Sequence, residues 1–339
     1  MDAFVPLAQP DLTGNERRYL MECVDSNCVT HYGRFERDFE RAFSKRFGTP
    51  CIATSSGTGA LHLALLSLGI GPGDEVIVPD FTFGATASVV LAVGARPILV
   101  DVDSRTWGLD KDRVAERITS RTKAILPVPI YGIDAGDFRE FGIPVIEDAC
   151  EALGMVPIRG QMACYSFYGN KPLTTGEGGM LCGDFGNAMA WRDGGFDAQY
   201  RNVVPGLNYR MSNMQAAIGL AQLERFDELL GRRLANAALY AQRLAGKGRW
   251  LFVAECDDSA AMAAHLNRWG VDTRPVFTPL HMSPAFEKYA DRDYPVSESI
   301  WRHGLCLPTG AHVSPQQVEK IVDIIHGSHH IRRVANGAG

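Results

Sequence analysis

The sequence has no surplus of positive charge, no C-x-x-C pair and no apolar run long enough to cross a bilayer. Its net charge of −5 gives no general attraction to nucleic acid or to an anionic membrane, so a phosphate-bearing ligand must be held by a local site. The longest apolar stretch, ASVVLAVGARPILV, is broken by Gly94, Arg96 and Pro97. The opening residues, MDAFVPLAQPDLTGNERR, lack a basic segment followed by an apolar one, and the expected location is the cytoplasm. The eight cysteines are accordingly expected to be reduced, most of them serving as core filler. The nine histidines, His329 and His330 among them, show no ligand spacing, and no metal is expected. There is no G-x-S-x-G elbow, which argues against an α/β-hydrolase. GIGPGD follows a helical pattern and not a strand, so it is not read as a dinucleotide loop.

What is present is the composition of a globular enzyme. Of 339 residues 46% are hydrophobic and 22% charged, enough for a large core and more chain than one core usually serves. Two domains are expected, over residues 1–230 and 231–330, with a frayed tail at 331–339. Phe35, Phe39, Phe43 and Phe47 recur every four residues and mark one helix face, ended by Gly48. PCIAT reads as a strand, and SSGTGALHLALLSLG as a helix with a Ser or Thr cap, Leu61, Leu65 and Leu68 on one face, and Gly69 as its stop. Further strands are expected at DEVIVP, RPILVDVD, KAILPVPI, IPVIEDA, MACYSFY and GGMLCGD, with helices at ATASVVLAVG and DKDRVAERIT. Strands alternating with helices predict an α/β fold with a largely parallel sheet covered on both faces. A long helical pattern begins at the capping Ser212, runs to Gly246 with a break, and leads into a small mixed α/β unit.

In such a sheet ligands bind beyond the carboxyl ends of the strands, and three features fall there. TSSGTGA ends a strand and opens a helix, so it is either an ordinary capped helix or an anion site. Asp148 directly follows the buried strand VIE and is either a helix cap or a carboxylate awaiting a positive partner. Lys171, in YSFYGNKPLTTGEGG, follows an aromatic run and is either a snorkelling side chain at a sheet edge or a chemical group. Together they meet one set of demands. A phosphate needs a helix N-terminus and hydroxyls, here Gly57, Thr58 and Ser166; a protonated pyridine nitrogen needs a carboxylate, here Asp148; an aldehyde needs an amine, here Lys171. Phe83, after another strand end, is placed to stack on a flat ring. These are the requirements of pyridoxal 5'-phosphate (PLP).

Six stretches between residues 33 and 233 resemble the DegT/DnrJ/StrS family of sugar aminotransferases. They are GRFERDFERAFSKRFG, SSGTGALHLALLSLGIGPGDEVIVPDFTFGATAS, GARPILVDVD, IEDACEALG, YSFYGNKPLTTGEGGML and NYRMSNMQAAIGLAQLERFDELLGRR, with TRPVFTPLH at 273–281 as a seventh. The resemblance implies the PLP-dependent transferase type I fold: a large domain with a seven-stranded sheet and a smaller C-terminal α/β domain. It implies that Lys171 holds PLP through its amine, Asp148 pairs with the ring nitrogen and Phe83 stacks on the ring. Gly57, Thr58 and Ser166 would hold the phosphate, and Glu151 would stand beside the ring oxygen, where many relatives have glutamine. Asn208 would reach the phosphate of a neighbouring subunit, which implies a homodimer with shared sites. Tyr131, Arg210 and His281 are candidate substrate residues, against duller roles in packing or ion pairs. Glutamate would donate the amino group, leaving the pyridoxamine form, and a keto-sugar on a nucleotide diphosphate would accept it. Neither nucleic acid nor membrane is an expected partner. An aminocyclitol or other small ketone as acceptor, a sugar dehydratase and a regulatory PLP-binding protein are the alternatives; the dehydratase branch carries histidine where Lys171 stands. Compared with that family, the segments around FREFG and MVPIRGQMAC and the C-terminal domain are short, in regions that shape the acceptor pocket.

Overall fold

The computed structural model describes residues 4–329; the tail expected to fray at 331–339, and His330, lie outside them. Seven strands are the scaffold of the site: β1 (Cys51–Thr54), β2 (Glu75–Pro79), β3 (Arg96–Val100), β4 (Thr122–Ile125), β5 (Ile146–Asp148), β6 (Met162–Ser166) and β7 (Gly179–Gly183). They hydrogen-bond in the orders β3-β2-β4 and β5-β6-β7-β1. A parallel bridge between Ile125 and Val145, with Ile125 N donating to Pro144 O at 2.9 Å, joins the two groups into one sheet. All neighbours are parallel except β7, which runs against both β1 and β6. The expected seven strands are all present.

The helices explain the burial of that sheet. α1 (Glu16–Asp25) had no counterpart among the expected elements, and its buried apolar stripe is only Tyr19 and Cys23. α2 (Arg34–Phe47) buries Phe35, Phe39 and Phe43 on one face, and Gly48 closes it with φ 69°. Each such ring is worth roughly 2–3 kcal/mol on burial. Phe43 meets Tyr165 and Phe167 edge-on, at 5.8 Å each, which fixes the side of β6 that faces α2. Because strand side chains alternate, Ser166 between them faces the other way. α3 (Gly57–Ser67) buries Leu61, Leu63 and Leu65, so it is enclosed on more than the single face its leucine spacing suggested. α4 (Ala85–Ala92) and α5 (Lys111–Arg117) follow β2 and β3. The connection from β4 to β5 has no α-helix, only 3-10 turns at Ile130–Gly132 and Arg139–Phe141, the second in the place where FREFG reads as a shortened segment.

Beyond a short α6 (Ala188–Arg192), the long helical pattern divides into α7 (Asn213–Glu224) and α8 (Phe226–Arg243), with the break at Arg225. Ser212 caps α7 in a reciprocal capping box with Gln215. The expected domain boundary at residue 230 falls inside α8. A second, antiparallel sheet in the order β10-β11-β9-β8 is built from β8 (Gly246–Lys247), β9 (Phe252–Glu255), β10 (Arg274–Pro275) and β11 (Gly304–Leu307). α9 (Ser259–Arg268), α10 (Pro295–His303) and α11 (Pro315–His326) complete this part. Val5 N donates to Gly270 O at 2.8 Å, so the N-terminal segment is tied to it.

The cysteines need one correction. Cys51 and Cys182 are partners in the antiparallel register of β1 and β7, 4.1 Å apart at Cα, and they form a disulfide. The other six are free. Among the described residues no helix is long and apolar enough to cross a membrane.

Candidate active site

The cavity that gathers the expected chemistry, about 350 Å³, lies at the carboxyl ends of β5 and β6 and at the start of α3. Gly57, Thr58, Phe83, Asp148, Glu151, Ser166 and Lys171 all line it. A larger cavity of about 480 Å³, walled in part by Gly154–Ile158, carries no charged side chain.

The anion corner follows from the helix start. Ser56 caps α3 by accepting from Gly59 N at 3.0 Å. The N–H groups of Gly57 and Thr58 meet no acceptor among the described residues, so they remain free donors at a positive dipole end. No side chain fits at Gly57: a Cβ there would lie 2.7 Å from Cys150 Sγ and 2.8 Å from Ser166 Cβ. At Gly179 it would lie 2.5 Å from the Ser56 carbonyl carbon. Glycine at these two points lets β7, β6 and the helix start converge.

Asp148 is only 6% exposed. It accepts from Thr86 Oγ1 at 2.7 Å and from Cys150 N at 3.3 Å, and no cationic side chain pairs with it among the described residues. Thr86 is within 3.1 Å of Thr82 Oγ1, so a chain of hydroxyls orients the carboxylate. A buried carboxylate with these partners fits a protonated ring nitrogen as its missing cation. Burial holds the neighbouring Cys150 thiol well above its ordinary range, which keeps that group neutral.

Lys171 Nζ lies 3.8 Å from the centre of the Trp250 ring and 3.7 Å from Glu151 Oε1. The apolar wall behind the lysine is thus Trp250. Tyr165 and Phe167 turn instead into the core, and Tyr168 is half exposed on the cavity rim. Burial pushes the Glu151 carboxyl from 4.5 up to about 7, against the opposing pull of Lys171 and of Tyr131 N, which donates to Oε2 at 2.8 Å.

The remaining candidates are placed elsewhere. Tyr131, 1% exposed, does not line the cavity. Its backbone is left-handed at φ 51°, its carbonyl accepts from Arg249 N and Trp250 N, and its hydroxyl accepts from Phe277 N at 3.2 Å. Its ring lies parallel to those of Trp250 and Phe277. It is a hub that sets Trp250 and Phe277 against the site. His281 is also off the cavity wall. Its Nδ1 lies 2.7 Å from Asp80 Oδ2, its backbone N–H donates to Asp80 Oδ1 at 2.8 Å, and its ring stacks on Tyr294. Arg210 is half-buried and outside the cavity, and Asn208 forms a backbone bridge with Asp193 away from it. Phe83 lines the cavity, 59% exposed and tilted against Phe277 at 5.6 Å. Thr86, Trp250, Arg274 and Phe277 were not among the expected residues. Thr86 lies within the quoted stretch that ends in FGATAS, and Arg274 and Phe277 within TRPVFTPLH; Trp250 lies in no quoted stretch.

The aminotransferase family described as DegT/DnrJ/EryC1/StrS matches residues 10–326. The chain belongs to that family. It is a PLP-dependent aminotransferase of the type I fold. GDP-perosamine synthase of Caulobacter vibrioides is 40% identical, over 94% of this chain and 96% of that one. DesV of S. venezuelae, solved in complex with a ketimine intermediate, superposes with a TM-score of 0.87 at 32% identity, over 92% of this chain and 94% of that one. Spr1654 of Streptococcus pneumoniae, described as a sugar aminotransferase and solved in a PLP-form, gives 0.86 at 26% identity, over 95% and 97%.

Proposed function

We propose that this aminotransferase moves an amino group from glutamate to a 3-keto or 4-keto deoxysugar carried on a nucleotide diphosphate, with guanosine diphosphate (GDP) as the carrier, for amino-sugar biosynthesis. The observation that carries the reading is Asp148: a buried carboxylate without a cationic partner, sharing one cavity with Lys171 and the free N–H groups of α3. The similarity to GDP-perosamine synthase supports the class of acceptor. Lys171 stands where the dehydratase branch has histidine, which favours amino transfer over dehydration.

When bound, PLP supplies an aldehyde for amines and a ring that takes up the electron pair left beside an amine carbon. The chain's own groups do the rest. Gly57 N, Thr58 and Ser166 hold the phosphate, and Phe83 covers the ring. Asp148, oriented by Thr86, keeps a proton on the ring nitrogen. Lys171 Nζ takes up and returns the substrate proton, and Trp250 and Glu151 fix where that amine sits. We also assign two copies to the working unit. Phe196, Tyr200 and Val203 are half or more exposed in the segment closed by the Asp193–Asn208 bridge, and Asn208 would then serve the neighbouring copy's phosphate.

Purified protein should show the yellow absorbance of lysine-bound PLP, and glutamate should bleach it. A GDP-linked keto-sugar should restore it. Lys171→Ala should lose both the band and turnover while staying folded. A variant that keeps both would refute the assignment.

A further inference from the structure

Two cationic side chains reach the cavity, Lys171 and Arg274, against three carboxylates, Asp148, Glu151 and Glu177. The cavity as a whole therefore does not favour anions, yet both substrates of the proposed reaction carry them. Glutamate brings carboxylates, and the acceptor brings a diphosphate. The donors at the start of α3 are committed to the cofactor phosphate, and Lys171 to the cofactor aldehyde. Arg274 remains. It stands on β10, in register with Cys306 of β11, and is exposed where it lines the cavity with Trp250 and Phe277. Among the described residues its side chain makes no hydrogen bond and no ion pair. Arg159, by contrast, holds Asp134 through both terminal nitrogens, and Arg274 is the arginine that lines this cavity. A free guanidinium offers a planar pair of donors that suits a carboxylate or a diphosphate.

We infer that Arg274 is the specificity-determining group for the anionic oxygens of the substrates. The two substrates occupy the cavity in turn, so one guanidinium can serve a carboxylate and a diphosphate alternately. This rests on the amino-transfer reading above. It adds that the second sheet, and not only the cofactor-holding strands, decides what is bound.

The test uses wild type, Arg274→Gln and Arg274→Lys as PLP-loaded proteins. One arm titrates glutamate and follows the cofactor absorbance. The other titrates GDP alone by calorimetry, at low and high salt. The Gln variant should bind about 10–100-fold more weakly in at least one arm, with Lys restoring part of the loss. Wild-type affinity in that arm should fall with salt more steeply than the variant's. A loss confined to glutamate assigns the carboxylate, and a loss confined to GDP assigns the diphosphate. Unchanged affinity in both arms overturns the inference. If no amino donor alters the wild-type spectrum, the proposed reaction falls, and the GDP arm still decides the role of Arg274. A wild type that binds neither probe overturns both.

Discussion

Glu151→Gln isolates the least expected charge in the site. Glutamine keeps the acceptor for Tyr131 N and nearly the same volume, and it removes the ionisable group. In the cofactor-free protein, burial moves the Glu151 carboxyl from 4.5 to about 7. Between those values the folded chain holds a proton that the unfolded chain has released. Stability therefore falls as pH rises through that window. Below it both states are protonated; above it both are ionised and the whole penalty is present. Each pH unit of such a window is worth about 1.4 kcal/mol, so the interval amounts to about 3 kcal/mol. Glutamine has no such window. Glu40, Glu147 and Asp80 are also shifted upward by burial, but they are common to both proteins and cancel in the difference.

Urea unfolding of cofactor-free wild type and variant, at one protein concentration and a series of pH values, measures that difference. The variant should match wild type in the acid range and exceed it by about 3 kcal/mol at mildly alkaline pH, with an unchanged denaturant slope. A difference that stays flat across the series would show that Glu151 titrates alike in the folded and unfolded chain, with Lys171 compensating its burial in full.

Two further outcomes follow from the geometry. Asp148→Asn keeps an acceptor for Thr86, so turnover should fall at least about 100-fold, while cofactor-free stability stays level or rises because an unpaired buried charge is gone; equal losses of stability and turnover would mark a structural carboxylate. His281→Ala strips a hydrogen-bonding ring from the buried Asp80 and should cost about 1–3 kcal/mol near neutral pH, and less in acid, because Asp80 is already shifted toward its protonated form by burial; a thermal-denaturation series that shows no pH dependence would disprove the pairing.

How much of this was legible in the chain depends on the range over which each residue acts. Gly57, Thr58, Asp148, Ser166 and Lys171 lie at strand ends and a helix start, within motifs of a few residues, and they converge in one cavity. The four-residue spacing of Phe35, Phe39 and Phe43 and the capping Ser212 are equally local. Thr86 is different. It lies 62 positions from Asp148, and only the tertiary fold brings the first turn of α4 within 2.7 Å of that carboxylate. Trp250 reaches Lys171 from 79 positions away, across the second sheet. Tyr131 is a candidate substrate residue in the sequence, with core packing as the alternative. Its left-handed backbone and its bonds to Trp250 and Phe277, which no local pattern announces, turn it into the core.

The same distinction accounts for the effect of the shortened segments. The cofactor-facing groups are held by local backbone bonds: Asp148 N donates to Pro127 O at 3.0 Å, and Lys171 N to Tyr168 O at 2.9 Å in the turn after β6. Removing a crossover helix before β5, or chain between Gly154 and β6, leaves those bonds in place. The opposite wall has no such independence. Trp250 and Phe277 are both bonded to Tyr131, and Arg274 stands three residues from Phe277. The cofactor-facing groups therefore rest on local bonds, whereas Trp250 and Phe277 on the opposite wall share Tyr131 as a common support, and differences in acceptor should trace to that wall first.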